Sequence, residues 1–308
     1  METSRLRIGF LGFGEAAKTF ASALNGRVAR LTAYCNGPRH RPPYTSAFQE
    51  EAAARGVTLV DSLEALVTGA DLIISAVATS AATAVAEESA LYLGARHIYA
   101  DMNAVPPAAK DAMAQRVTAR GAAFVDAELM GAVSLYGHTV AIYASGNGAA
   151  AFQQRLAPLG LNITVVPGSA GAAAFLKMLR SAVTKGMEAL IVEAMFAAYR
   201  AGLAPEAFAA LTQPMDAVRF SDFARMCLTS DPVHAGRRAD EMKGVTAVIR
   251  QLGVRPTMAE ATRRRLQWSA RLGVKDLLSG REPEDFLAVL ALYDQRDRAK
   301  TRPGGDPC

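Results

Sequence analysis

The sequence predicts an α/β protein in two parts, a doubly wound and mostly parallel sheet over residues 1–166 and an all-helical domain over 167–302, joined by one long helix. Three observations lead there. Eight short β-branched runs alternate with alanine-rich stretches from Arg7 to about Val166, the pattern of β-α-β units. A glycine-rich turn, "GFGEAA", follows the first run and opens the first alanine-rich stretch. After Pro167-Gly168 the β-branched runs stop, and a segment without proline extends from Ser169 to Gly202, about 30 residues or ~45 Å of helix.

The strands expected, in chain order, are "IGFL", "RLTAY", "VTLV", "DLIISAV", "HIYAD", "AFVDAEL", "TVAIYAS" and "NITVV". Between them lie the helical stretches "EAAKTFASAL", "SAFQEEAAARG", "SLEALVTG", "TAVAEESALYLG", "PPAAKDAMAQRVTARG" and "AAAFQQRLAPLG", several ending on a glycine where a helix C-cap favours one. The long segment has an N-cap candidate in Ser169 and is too long to stay within one domain. Further helical segments are expected to begin near Pro205, Ser221, Arg237, Thr257 and Pro283, and the tail at 303–308 has the composition of a frayed end.

With 308 residues and 51% hydrophobic content, the chain can bury roughly 75% of its extended surface, which excludes a disordered or fibrous class. Its apolar runs are broken well short of the ~20 residues of a membrane span, and no secretory signal is seen. Cys35, Cys227 and Cys308 form neither a C-x-x-C pair nor an even disulfide set, and four histidines lack metal-ligand spacing. A cytoplasmic protein with no metal and no membrane partner is expected. The formal charge of +5 comes from 34 basic and 29 acidic residues mixed along the chain. The densest basic patch, "ATRRRLQWSARLG" at 261–273, spreads its arginines over several helix faces, so a solvated surface is expected there, not a nucleic-acid site.

Gly12-Phe13-Gly14-Glu15-Ala16-Ala17 is G-x-G-x-x-A between a strand and a helix, the context of the Rossmann dinucleotide-binding turn. Gly12 would permit the tight turn, Gly14 the approach of a pyrophosphate, and Ala17 the packing of helix on strand, while the helix N-terminus offers free N–H donors. In the NAD form an acidic residue closes the second strand, but "LTAYCNGPRHRPP" has none. Asn36, Arg39 and Arg41 stand there instead. Guanidinium suits a 2′-phosphate as a charged fork, so NADP is preferred over NAD, unless these residues form an ordinary basic loop. Val77 and Ala78, at the end of "DLIISAV", join the cofactor candidates.

Together with this turn, the blocks "YADMNAVPP" at 99–107, "VDAELMGAV" at 125–133 and "GSAGAAAFLKMLRSAVTKG" at 168–186 resemble the β-hydroxyacid dehydrogenase superfamily, which includes 6-phosphogluconate and 3-hydroxyisobutyrate dehydrogenases and the imine reductases. The resemblance covers nearly the whole chain. It implies that Asn103 lies near the nicotinamide, where its amide could bond the carboxamide or a ribose hydroxyl, or could cap the helix begun at Pro106-Pro107. The second block is similar to the substrate segment D-A-P-V-S-G-G. Asp126, Ala127 and Gly131 match. Glu128 replaces Pro, Met130 replaces the Ser that binds substrate carboxylate in relatives, and the stretch to Gly137 is about two residues shorter. Glu128 could hold a cationic or polyhydroxylated substrate, or be a surface carboxylate at the sheet edge.

The third block resembles G-x-x-G-x-G-x-x-x-K-x-x-N-N, with Gly168, Gly171 and Lys177 in place, Ala173 for the last glycine, and Arg180 and Ser181 for the two asparagines. Lys177 thereby corresponds to the family's catalytic lysine. An ammonium there would stabilise charge on a reduced carbonyl oxygen and donate the proton. Ser181, Thr184 and Lys185 share its helix face, either as a site lining or as a solvated stripe. "RRADEMKGV" lies where relatives carry K-D-L, which adds Lys243 to the substrate candidates Glu128, Met130, Gly131 and Ser181. The implied activity is NADP(H)-dependent hydride transfer at a hydroxy or carbonyl carbon of a small polar, hydroxy-acid-like substrate. An imine reductase and a non-catalytic NADP-binding sensor are the alternatives. The apolar stripe "ALIVEAMFAAY" leads to an expected homodimer.

Overall fold

The computed structural model describes residues 6–301; the tail expected at 303–308 lies outside them. Strands and helices alternate as β1 (Arg7–Leu11), α1 (Glu15–Leu24), β2 (Arg30–Tyr34), α2 (Ser46–Ala53), β3 (Val57–Leu59), α3 (Leu63–Gly69), β4 (Leu72–Ser75), α4 (Ala82–Ser89), β5 (Ile98–Asp101), α5 (Pro107–Thr118), β6 (Ala123–Leu129), α6 (Val133–Tyr136), β7 (Ile142–Ser145), α7 (Ala149–Leu156) and β8 (Ile163–Val165). All eight expected runs form strands. They make one sheet in the order β3-β2-β1-β4-β5-β6-β7-β8, parallel throughout except where β7 turns antiparallel to β6. The reversal of strand order beside β1 is the switch point at which open α/β sheets bind ligands.

Alternation along each strand sends side chains to two buried faces. Ile8, Phe10, Ala33, Ile74 and Val125 meet α1, α2 and α7 through Phe20, Phe48 and Phe152. Leu11, Ile73, Tyr99 and Phe124 meet α3, α4 and α5 through Leu66, Ala86, Met113 and Val117. Each wholly buried phenylalanine contributes about 1.5–3 kcal/mol. Local signals begin several helices: the Thr45 hydroxyl accepts from Phe48 N–H to open α2, and Ser62 accepts from Ala65 N–H to open α3.

The helical part follows with α8 (Ala172–Arg200), α9 (Ala204–Asp216), α10 (Phe220–Gln251), α11 (Thr257–Arg271), α12 (Val274–Leu277) and α13 (Phe286–Thr301). The chain groups into two compact units divided after Ala182, part-way along α8, so the first turns of that helix belong with the sheet and not beyond a 166/167 boundary. Three expectations need correction. No helix starts near Arg237, because α10 runs unbroken through Pro232 and Gly236; Pro232, Ala235 and Ala239 are buried, and a Cβ on Gly236 would sit 3.8 Å from Ala270 of α11, so packing overrides the local breakers. The last helix begins at Phe286 and not at Pro283, and the short α12 was not expected. Within this unit, the Glu193 carboxylate of α8 accepts from Met258 N–H (2.8 Å) and Ala259 N–H (2.9 Å), capping α11 in place of a local residue. Trp268 and Tyr293 meet edge to face at 5.6 Å, and the Tyr293 hydroxyl donates to Asp231 at 2.7 Å.

Candidate functional site

The turn between β1 and α1 is held from both sides. Gly12 N–H donates to the Tyr34 carbonyl and Ala76 N–H to the Leu11 carbonyl, which brings the ends of β1, β2 and β4 together. Gly12 has φ of +80°, and a Cβ there would lie 2.4 Å from the Ala76 carbonyl oxygen, so only glycine fits. Gly14 differs: its φ is −84°, and a Cβ would meet nothing within 4 Å. It is free of side chain toward open space. Gly14 is the N-cap of α1 with no side-chain cap bond, leaving first-turn N–H groups for an anion. Ala17 is buried under the helix, and the Phe13 ring is turned into the core near Phe48, so Phe13 can contribute only its backbone. Glu15 and Ala16 follow on the first turn, Glu15 exposed and Ala16 half-buried. This cradle fits a dinucleotide pyrophosphate.

Past the end of β2, Asn36, Arg39 and Arg41 are exposed on one loop. His40 stacks on Phe48 at 3.7 Å, pinning the loop between the two arginines. Val77 is half-buried and Ala78 exposed just after β4, next to the Ala76 carbonyl that faces Gly12.

The second half of the site follows from sheet register. Ser75, Asp101, Asp126 and Ser145 are neighbours in one row across β4, β5, β6 and β7, and all four are fully buried. Glu128, two residues beyond Asp126, points to the same face. From α5 the side chain of Lys110 enters this row. Its Nζ lies 2.7 Å from Asp101 Oδ2, 3.0 Å from Asp126 Oδ1 and 2.9 Å from Glu128 Oε1, and it donates to the Asp101 carbonyl at 2.9 Å. Lys177 Nζ on α8 donates to Glu128 Oε2 at 2.7 Å.

The Asp126 carboxylate accepts from Gly171 N–H at 3.0 Å and Ala174 N–H at 2.9 Å, and the Ser145 hydroxyl accepts from Ala173 N–H at 3.1 Å. The sheet thus supplies the N-terminal cap of α8, in place of Ser169, and aims the following turn, which carries Lys177. Asn103 donates to Asp101 Oδ1 at 2.5 Å and to the Ser75 hydroxyl at 3.1 Å. Burial pushes the Glu128 carboxyl up against the pull of Lys110 and Lys177. Burial alone would lower Lys110, but Asp101, Glu128 and Asp126 outweigh it and hold the ammonium raised.

The structure removes one of two readings for Glu128 and for Asn103. Glu128 is no surface carboxylate, since it is 0% exposed and each of its oxygens faces a lysine. Asn103 does not cap α5, whose N-cap is Pro106 with no side-chain bond. Met130 and Gly131 sit half-buried beyond β6; a Cβ on Gly131 would meet the Tyr136 ring at 2.9 Å, so the shortened loop folds onto that glycine. Ser181 lies one turn past Lys177 and is half-buried. Lys243 belongs to the second unit, on α10, paired with Asp240 at 2.6 Å. Lys110, Asp101, Ser75 and Ser145 were not among the expected site residues. Their only signal was position: polar residues ending three apolar strands, and a lysine at the inward spacing of Met113 and Val117.

The family model for the NAD binding domain of 6-phosphogluconate dehydrogenase matches residues 7–165, and the Domain of unknown function (DUF1932) matches residues 198–269. An uncharacterised 28.5 kDa protein from the 7S RNA 5′ region of Methanothermus fervidus is 28% identical over 258 residues, covering 84% of this chain and 96% of that protein. The solved structure of conserved protein MTH1747, of unknown function and described as similar to 3-hydroxyacid dehydrogenases, is 33% identical, covers 90% of this chain and 100% of its own, and has a TM-score of 0.58. An imine reductase from Aspergillus terreus, in complex with NADPH4 and a dibenzazepine, shares the fold at 16% identity, with 92% and 99% of the chains covered and a TM-score of 0.70.

Proposed function

The chain belongs to the family of the 6-phosphogluconate dehydrogenase NAD binding domain, and from that premise we propose that it is an NADP(H)-dependent oxidoreductase working on a small polar hydroxy or carbonyl compound, with Lys177 as general acid and base. NAD(P) binding comes with the family and agrees with the Gly12–Gly14 cradle. The exposed Arg39 and Arg41, with no acidic residue at the end of β2, favour the 2′-phosphate.

One observation carries the assignment of Lys177. Its ammonium is anchored at 2.7 Å on a wholly buried carboxylate, in the network that also holds Asn103. A lysine so fixed keeps its N–H bonds aimed without loss of side-chain entropy at each turnover. When bound, the reduced nicotinamide supplies the hydride. Lys177 then stabilises negative charge on the substrate oxygen and gives it a proton from Nζ; in the oxidative direction the neutral amine takes the hydroxyl proton. Glu128 holds Nζ in place and offsets its charge. Met130 offers no hydroxyl, so a substrate carboxylate would need another donor, for which Ser181 stands one turn along α8.

The test is NADPH oxidation by the purified protein against semialdehydes, keto acids, sugar-acid ketones and cyclic imines, with Lys177→Met alongside. Turnover on a carbonyl substrate, reduced about 10²–10⁴-fold in the variant, is the expected result. Turnover confined to imines would make the protein an imine reductase. NADPH binding without turnover, and indifferent to Lys177→Met, would make it a cofactor sensor.

A further inference from the structure

A second lysine, wholly buried, sits at the centre of this network. We propose that Lys110 is a positioning residue for Lys177: it shares the Glu128 carboxylate with Lys177, and its fixed positive charge limits how strongly that carboxylate holds the Lys177 ammonium. The proposal rests on Lys177 being the acid/base.

Packing does not require a lysine at this position. Its inward neighbours on α5 are Met113 and Val117, and buried ion clusters are often no more stable than apolar residues of the same volume. What the lysine does is electrostatic. It is the one cation among the described residues that reaches Asp101, Asp126 and Glu128 together; Lys177 reaches only Glu128. One of its three N–H bonds goes to the Asp101 carbonyl. Two remain for three carboxylate oxygens within 3.0 Å, so at least one oxygen is held by charge alone. Three carboxylates against two ammonium groups leave the cluster short of positive charge, and without Lys110 the single ammonium of Lys177 would face that negative charge alone.

The connection is continuous. Asn103 to Asp101 is 2.5 Å, Asp101 to Lys110 is 2.7 Å, Lys110 to Glu128 is 2.9 Å and Glu128 to Lys177 is 2.7 Å. Through Asp126, Lys110 also braces the first turn of α8, whose Ala174 N–H lies three residues before Lys177. The groups facing the cluster are Asp101 and the Tyr99 phenol from β5, Asp126 and Glu128 from β6, Lys110 from α5 and Lys177 from α8, with the neutral hydroxyls of Ser75 and Ser145 at its sides. The Tyr99 phenol is itself raised by burial and by Asp101, so it stays uncharged.

The sign follows from Coulomb's law. Removing a fixed positive charge raises the proton affinity of every group it faces, and removing a negative charge lowers it. The experiment uses the full chain and two readouts: the pH dependence of kcat on the substrate found above, and trace acetylation of Lys177 against pH followed by mass spectrometry, which needs no turnover. Lys110→Met is expected to move both midpoints up by about one pH unit or more, Asp101→Asn to move them down, and Lys110→Arg to leave them near wild type. Loss of stability alone gives no such pair of opposite shifts.

Equal midpoints in folded variants, or shifts of one sign in both, would overturn the proposal. Should Lys110→Met fail to fold, Asp101→Asn decides: an unmoved midpoint overturns it and a lowered one supports it. Shifted acetylation without turnover on any substrate would keep the link and remove the oxidoreductase assignment. Turnover dependent on Lys177 with unmoved midpoints would do the reverse.

Discussion

The exposed pair Arg39 and Arg41 and the buried Lys110 with half-buried Lys177 use the same charge in opposite surroundings. On the loop after β2 the two guanidinium groups lie in water, where each is worth little until a phosphate arrives to accept a charged fork. Reversing both, Arg39→Glu with Arg41→Glu, is expected to weaken NADPH binding at least tenfold, ~1.4 kcal/mol per factor of ten, and to change NADH binding by about threefold or less. Fluorescence titration of the two cofactors checks this, and equal losses for both would remove the 2′-phosphate from that loop. At the buried site the lysines are costly unless paired, and the pairing is what gives Glu128 its meaning. The sequence shows Lys110 next to Asp111 on an alanine-rich helix, which reads as an ordinary solvated charge. Its inward direction comes from the packing of α5 on the sheet.

Among elements, the β1–α1 turn separates two uses of glycine. At Gly12 a side chain collides with backbone at 2.4 Å and takes on a left-handed φ, a strain of about 1–3 kcal/mol before the collision. At Gly14 nothing in the protein is in the way. Gly14→Ala is therefore expected to melt like wild type but to bind NADPH at least tenfold more weakly, while Gly12→Ala loses both thermal stability and binding. Thermal melts with and without NADPH distinguish them. If Gly14→Ala bound as tightly as wild type, the pyrophosphate would not pass over this turn. The motif and its flanking elements were readable in advance because a turn of this kind depends on neighbours in sequence. The α10 helix was not. Pro232 and Gly236 are local stop signals, and the packing of this stretch through buried Pro232, Ala235 and Ala239 overrides them.

At the scale of the whole molecule, the helical unit leaves a broad apolar surface uncovered. Val192 is 63% exposed, Tyr199 72%, Phe208 56% and Phe220 58%, on α8, α9 and the start of α10. No helix among the described residues is long and apolar enough to cross a membrane. We expect a homodimer in which a second copy covers this face. Light scattering at micromolar concentration should return twice the 32.5 kDa chain mass, and Val192→Asp with Phe208→Asp should shift it toward monomer. A wild-type monomer with normal stability would refute the dimer.

The sequence by itself determined the eight strands in chain order, the phosphate-binding turn, the missing acidic residue after β2 and the lysine on the long helix, because each is written in residues adjacent along the chain or spaced by one helical or strand period. The tertiary structure alone decided what surrounds that lysine. Asp101, Asp126, Glu128 and Lys110 come from three elements, and only parallel pairing in register with α5 laid on that face brings their charges within 3.0 Å. Electrostatics acts through space and not along the chain, so the group that tunes Lys177 was absent from every local pattern.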